Sequence, residues 1–442
     1  SPSVTLWDVF CLEMLALRPI AFMQWNGFGF DDQAAAALEV SLRDNAETLK
    51  TQFLEELDAA IRQENPDDPN AWLPREGDGF NTREKDSGSV RLGTKVKKGF
   101  NPRSPKQMAE RFEQAGILLP PDEKGAPSLD QNLLAFLKSE YALIALYLEW
   151  KTAITRVSHI EKLRESVGPD GRIHCSYRQM GTETGRMSAA SPNLQQVPRS
   201  ADFRGLFRAR EGYTLVVADF SQVELRVAAE LSGEKRMLEA YKAGRDLHTE
   251  TAALMAGIAI GDVNKAQRQS AKVANFGLLY GAGPATLRKQ AVAQYGIDME
   301  LEEAKGIVQD FRSAYPKLYD WQTEEGNKTT KAVFTRYGRR RMLTGFNDKY
   351  TTRINTQVQG TAGDIAKIAI AMLWKEIKAS RVAEAFLISM VHDEIVLEVE
   401  EEFVEKWTGR LKHCMETAGG VICKLVPIVA ESSFGTTWAD AK

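Results

Sequence analysis

The sequence predicts an α+β fold in which long helical insertions interrupt a small sheet. Three observations predict it. Strand-like apolar runs are few and short, at 172–178, 213–219, 385–400 and near the C-terminus. The stretch 221–335 is almost wholly helical in pattern, and further helical stretches fall at 31–62, 128–163 and 354–378. Two strand runs end on a carboxylate, Asp219 and Asp393, where a buried unpaired acid would be costly.

In chain order, 31–62 reads as a long helix opened by Asp31 and Asp32 and rich in Ala, Leu and Glu. Residues 63–105 carry Pro, Gly and many charges with little periodicity, and read as an extended insertion. Residues 128–163 read as helical with Ser128 or Asp130 as the cap, and "GPDGR" (168–172) closes that lobe with a turn. After the strand at 213–219, the helical region is broken at Gly257, Gly261, Gly281, Gly283 and Gly296. "AFLISMVHDEIVLEVE" (385–400) reads as two strands joined by the polar turn "HDE", and "LVPIVAESS" (425–433) as a last strand.

Hydrophobic residues make up 43 % of the 442 and charged residues 26 %, an ordinary globular composition. No apolar run is long enough for a membrane span. The start, "SPSVTLWDVF", has no basic segment ahead of an apolar block, so no signal peptide is expected, and without an initiator Met it reads as a cut edge. Cys11, Cys175, Cys414 and Cys423 are scattered, which argues against a zinc cluster or disulfide framework and suits a reducing compartment. The net charge is −3, but cations cluster: residues 83–106 hold eight Lys/Arg against Glu84 and Asp86, and 331–353 hold seven against Asp348. Either tract taken alone reads as a solvated surface.

If Asp219 and Asp393 belong to one sheet, their carboxylates can converge. Two such groups repel unless a proton or a cation lies between them. Oxygen-only ligands favour Mg²⁺ or Mn²⁺ over zinc, and two carboxylates completed by substrate phosphates suit Mg²⁺. A pair of such ions serves in-line phosphoryl displacement. The plainer alternative is that each Asp caps a turn or a helix. "RQSAKVANFGLLYG" (268–281) then places Arg268, Lys272, Phe276 and Tyr280 four residues apart, so they spread over roughly 120° of one helix face. Two cations followed by two aromatics suit a ligand with phosphates at one end and a base at the other. Cations snorkelling over an apolar seam are the alternative.

These segments together resemble the family A DNA polymerases, the bacterial DNA polymerase I group. "DFSQVELRVAAELSG" resembles the first palm motif, "RQSAKVANFGLLYG" the fingers-helix motif and "MVHDEIVLEV" the second palm motif. "GRIHCSYRQMGTETGRMSAASPNLQQVP" and "INTQVQGTAGDIAK" resemble the stretches preceding the two palm motifs. The resemblance covers roughly 100–442 and, more weakly, 20–60. It implies a right-hand polymerase fold with an antiparallel-sheet palm, helical fingers and a helical thumb. The expected division is palm at 1–30, 168–235 and 351–442, thumb at 31–167 with a polar insertion about 63–100, and fingers at 236–350.

The resemblance further implies template-directed, two-metal-ion addition of deoxynucleotides to a primer 3′ end, releasing pyrophosphate. Asp219 and Asp393 match the metal-binding aspartates, with the Phe220 carbonyl completing the site. Phe220 departs from the family's usual Tyr, which a backbone ligand tolerates. Arg268 and Lys272 match triphosphate-binding residues, Lys272 also as a proton donor to pyrophosphate, and His248 a further phosphate contact. Phe276 matches the residue packing on the sugar, where Phe implies poor acceptance of dideoxynucleotides. Tyr280 matches the templating position and Glu224 the acid that crowds a ribose 2′-hydroxyl, with Gln222 beside it in the nucleotide pocket. Arg186, Asn355, Gln359 and His392 match residues at the primer terminus and minor-groove edge. Expected cofactors are two Mg²⁺ ions, Mn²⁺ substituting. Expected partners are primer-template DNA and dNTPs, with accessory replication proteins further candidates. The chain is expected to be a monomer in the cytoplasm of a bacterium or phage-infected host, associated with the nucleoid. No exonuclease motif precedes the polymerase-like region, so no proofreading is expected of this chain. The tract 83–106 falls in the expected thumb, where it would follow duplex phosphates. A single-subunit RNA polymerase is the main rival, and Glu224 argues against it. A scaffold with a decayed site is opposed by Asp219, Asp393, Arg268 and Lys272. Reverse-transcriptase activity stays open.

Overall fold

The computed structural model describes residues 5–67, 100–122, 124–297, 299–380 and 383–442. Most of the expected polar insertion and of the basic tract 83–106 lies outside the described residues. Contacts divide the chain into two units. One comprises Ser1–Val40, Ser158–Ala291 and Met299–Lys442, the other Ser41–Val157 with Val292–Asp298. The segments expected as palm and most of those expected as fingers thus fall within a single unit.

The first unit is built on a four-stranded antiparallel sheet in the order Ala430–Gly435, Tyr213–Phe220, Glu394–Glu400, Ala385–Val391. "YTLVVADF" forms an inner strand. It is paired on both edges, and Leu215 to Ala218 are buried, which explains its continuous apolar run. The Val404–Ile422 helix packs on three of the strands and against the Tyr350–Ala379 helix, while the Leu6–Asn26 helix covers Ala385–Val391. Trp407 and Trp438 are fully buried, and Phe28, Phe207 and Trp438 form an aromatic cluster with centroids 5.0–5.7 Å apart. Glu398, wholly buried in the sheet, is held by Arg172 at 3.0 Å and by the backbone N–H of Arg210 at 2.9 Å. A buried carboxylate is tolerable only with such partners.

The second unit has its own core. Phe53 stacks on Trp150 at 5.5 Å, and Leu57, Ile61, Met108, Phe112, Ile144 and Tyr147 close around them.

Several local expectations change. The Leu6–Asn26 helix was not expected: Pro19 lies inside it, and large apolar side chains point both inward and outward, so no clean period marks it. The helix expected over 128–163 is two pieces. Asp130 caps a single turn, Gln131–Leu134, and the long helix runs only over Ala142–Glu165. Within the basic tract 331–353, whose first residues fall in the stretch 221–335 expected as helical, Ala332–Phe334 and Arg340–Met342 form a hairpin. The run 172–178 is two separate strands, pairing with Phe28–Gly29 and Ser188–Ala190. The last strand begins at Ala430 rather than 425, because the N–H groups of Leu425 and Val426 go to the Glu230 carboxylate at 2.7 and 3.3 Å.

Candidate functional site

The sheet brings the two acids together. Asp219, in the last turn of its strand's pleat, stands opposite Glu394, and Asp393 is the residue before Glu394 in the two-residue turn of the hairpin. The Phe220 N–H donates to the Asp393 carbonyl at 3.1 Å, tying strand end to turn. His392 takes φ +56° to make the turn, and its Nε2 lies 3.0 Å from the Gln195 carbonyl. Burial pulls His392 below the usual imidazole range, against that carbonyl.

Both acids are held above the ordinary carboxylate range. Burial first, then the charges of Glu224 and Asp219 against the pull of Arg186, push Asp393 up to about 6. Burial and then Glu394 raise Asp219, with Lys442 and Arg199 opposing. Negative charge is therefore crowded and incompletely neutralised at the strand ends. Among the described residues there is no cluster of three or more His, Cys, Asp and Glu ligands. The donor set is two carboxylates plus the neighbouring carbonyl of Phe220. That fits a hard divalent cation that takes the rest of its shell from water and substrate oxygens.

Glu394 was missed from the sequence. It points inward and is claimed by the Trp438 indole N–H, by Lys442 at 2.5 Å and by Arg204 at 3.6 Å. Lys442 also lies 4.0 Å from Asp219. The only sequence signal was the adjacency of two acids in "HDE", with the second in phase with the buried face.

The Lys265–Leu279 helix starts at an Asn264/Gln267 capping box. Ala271, Val273, Ala274, Asn275, Gly277, Leu278 and Leu279 are buried, whereas Arg268 is exposed and Lys272, Phe276 and Tyr280 are partly so. The cationic–aromatic stripe is thus the side the fold leaves open. Arg268 pairs with Asp246 at 2.8 Å. Asp246 caps the Leu247–Ala256 helix through Thr249; burial works against its charge, yet Thr249 and Arg268 hold it down to about 2. Gln222 joins this group, donating to Asp246 at 3.5 Å and accepting from the Tyr241 hydroxyl at 3.0 Å. His248 is buried, its ring 5.6 Å from Phe276, and its Nδ1 is taken by the Asn275 amide at 2.8 Å. Nε2 is the ring nitrogen outside that contact. Burial drives His248 down to about 4, with Arg268 and Lys272 adding to the effect and Asp246 opposing it.

At the other end of the stripe, the Tyr280 hydroxyl and the Arg186 guanidinium both donate to Glu224, and Arg186 lies 3.6 Å from Asp393. Gln359 hydrogen-bonds Tyr280. Asn355, one turn earlier on the Tyr350–Ala379 helix, keeps a buried Oδ1 without a partner. Asp393, Arg186, Glu224, Tyr280 and Gln359 therefore form one connected chain of contacts, and Arg268, Asp246 and Gln222 another. Asp246 was legible only as a neighbour of His248 in "GRDLH".

The profile described as DNA polymerase family A matches residues 86–440. DNA polymerase I of Aquifex aeolicus is 36 % identical over 348 residues, covering 78 % of this chain and 59 % of that protein. DNA polymerase I of Pseudomonas aeruginosa is 34 % identical over 361 residues, covering 77 % and 38 %. The chain thus spans between about two-fifths and three-fifths of the curated relatives it matches. Among solved structures, the POL domain of Pol1 from M. smegmatis, in complex with DNA primer-template and dNTP, superposes with a TM-score of 0.78. That match covers 97 % of this chain and 70 % of the other at 24 % identity, and shows a shared fold.

Proposed function

The chain belongs to DNA polymerase family A, and from that premise we propose that it extends a primer 3′ end with deoxynucleotides on a DNA template, releasing pyrophosphate. One observation carries the reading. Asp219 and Asp393 meet at adjoining strand ends, locked by the 3.1 Å Phe220–Asp393 bond, beside a helix whose open face runs from cations to aromatics.

In this reading the sheet is the palm, the Lys265–Leu279 helix belongs to the fingers, and residues 41–157 belong to the thumb. The primer 3′-oxygen bonds to the α-phosphorus, the bond to the β-phosphate breaks, and pyrophosphate leaves. Two Mg²⁺ ions held by Asp219, Asp393 and the Phe220 carbonyl, with Mn²⁺ able to substitute, would supply charge stabilisation to the attacking and leaving oxygens. Arg268, released from Asp246, and Lys272 neutralise the triphosphate, and Lys272 is the group positioned to give a proton to pyrophosphate. Phe276 packs on the sugar. Glu224, fixed between Arg186 and Tyr280, fills the space a 2′-hydroxyl would need. The Asn355 amide nitrogen and the Arg186 guanidinium donate to minor-groove acceptors, which lie similarly in every base pair and so report pairing without reading sequence.

Primer extension on a DNA template with Mg²⁺ and four dNTPs tests the proposal. Template-dependent extension with dNTPs strongly preferred over NTPs is expected. No extension, or equal use of the two, would overturn it.

A further inference from the structure

The last carbonyls of a helix have no partner within it. At the end of the Lys265–Leu279 helix, the Leu278 and Leu279 carbonyls accept hydrogen bonds at 2.8 and 2.7 Å from the amide nitrogen of Gln322. Gln322 lies on a different helix, Pro316–Gly326, and is only 4 % exposed. Its amide nitrogen has two hydrogens, and both are spent on this helix end. A buried amide is retained at low cost only when so satisfied.

The next residues are held as well. Gly281 takes φ +75°, and a Cβ there would lie 2.4 Å from the Tyr350 ring. A Cβ on Gly326 would lie 2.3 Å from the same ring. Tyr350 is thus inserted between the end of one helix and the end of the other. Between these contacts lies a cavity of about 190 Å³ lined by Leu278, Gly281, Gln322, Thr323 and Tyr350. Apolar packing does not fill this side of the helix end, and the Leu278 carbonyl also accepts the Gly281 N–H at 2.9 Å, so the Gln322 amide joins the backbone in setting where the helix stops. The residue so set is Tyr280, whose hydroxyl reaches Glu224.

We propose that Gln322 is a positioning residue of the nucleotide site: by capping the helix from outside, it sets Tyr280 against Glu224 and thereby tunes nucleotide selection. The inference rests on the proposed roles of Tyr280 and Glu224. A Met at 322 keeps the volume but removes both side-chain donors, leaving the Leu278 carbonyl only its backbone partners, and a Glu turns acceptor oxygens toward both carbonyls.

The test is single-nucleotide insertion of correct and incorrect dNTPs by Gln322→Met and Gln322→Glu, each also combined with Tyr280→Phe. Gln322→Met should raise KM for the correct dNTP roughly threefold or more and misinsertion by a similar factor, with kcat within about twofold. These effects should shrink in the Tyr280→Phe background, because both changes act through the same hydroxyl. Unchanged KM and misinsertion in folded Gln322→Met overturn the inference, as do effects that persist in full with Tyr280→Phe. If Tyr280→Phe alone disturbs insertion while Gln322→Met does not, only the Gln322 inference falls; if neither disturbs it, the nucleotide-site reading falls too. Should Gln322→Met fail to fold, Gln322→His, which keeps one N–H donor, takes its place with the same outcomes.

Discussion

Glu224 receives hydrogen bonds from both Arg186 and Tyr280, so its carboxylate is fixed rather than free to swing aside. A fixed acid beside the sugar position is what exclusion of a 2′-hydroxyl requires. Glu224→Ala should lower the dNTP-over-NTP preference by about tenfold or more, the equivalent of ~1.4 kcal/mol. Competitive incorporation measures it, and an unchanged ratio would remove Glu224 from that role. His248 yields a pH prediction. Its folded value of about 4 lies below the ordinary 6.5, because burial disfavours the charged ring. The unfolded chain therefore binds this proton more tightly. The contribution is fully present above pH 6.5 and is lost as pH falls toward 4, an effect on the order of 3 kcal/mol at most. Denaturation midpoints of the parent chain and of His248→Asn across that window should differ in slope, the variant being flatter; equal slopes would show that the ring does not titrate there. At this scale the sequence singled out Arg268, Lys272, Phe276 and Tyr280 by their spacing, and the structure leaves that stripe the less buried side of its helix. Glu394 was not singled out, because its value lies in Trp438, Arg204 and Lys442, which only the fold brings to it.

At the scale of elements, the Lys265–Leu279 helix was readable because its open stripe and its buried positions follow the same 3.6-residue period. Its end was less so. The sequence marked a break at Gly281, but not that Tyr350 fills the space a side chain would need. Gly281→Ala combines a left-handed backbone position, costing about 1–2 kcal/mol, with a Cβ 2.4 Å from that ring. A lower denaturation midpoint is expected, and Tyr350→Ala in the same chain should recover only the steric part. A neutral Gly281→Ala would mean that this helix end is not constrained as described. The misjudged strand at 425–433 teaches the same lesson. Its apolar run was genuine, yet Glu230 captured the N–H groups that a strand would have needed.

For the whole molecule, the α+β class and the meeting of distant acids followed from apolar runs that end in carboxylates. The strand order was hidden, because it places 430–435 and 394–400 on the two edges of 213–220 and depends on contacts separated by about two hundred residues. A net charge of −3 is compatible with DNA binding when charge is partitioned: Asp219, Asp393 and Glu394 gather at the strand ends, while Arg268 and Lys272 line the open helix face. No described helix is long and apolar enough to cross a membrane. The most direct measurement is the single-turnover rate of nucleotide addition with Mg²⁺ for the parent chain, Asp219→Asn and Asp393→Asn. On the proposed roles each substitution removes one of two charges that would hold the cations, so each should slow addition by roughly 10³-fold while leaving the protein folded. Parental rates from either variant would contradict the account.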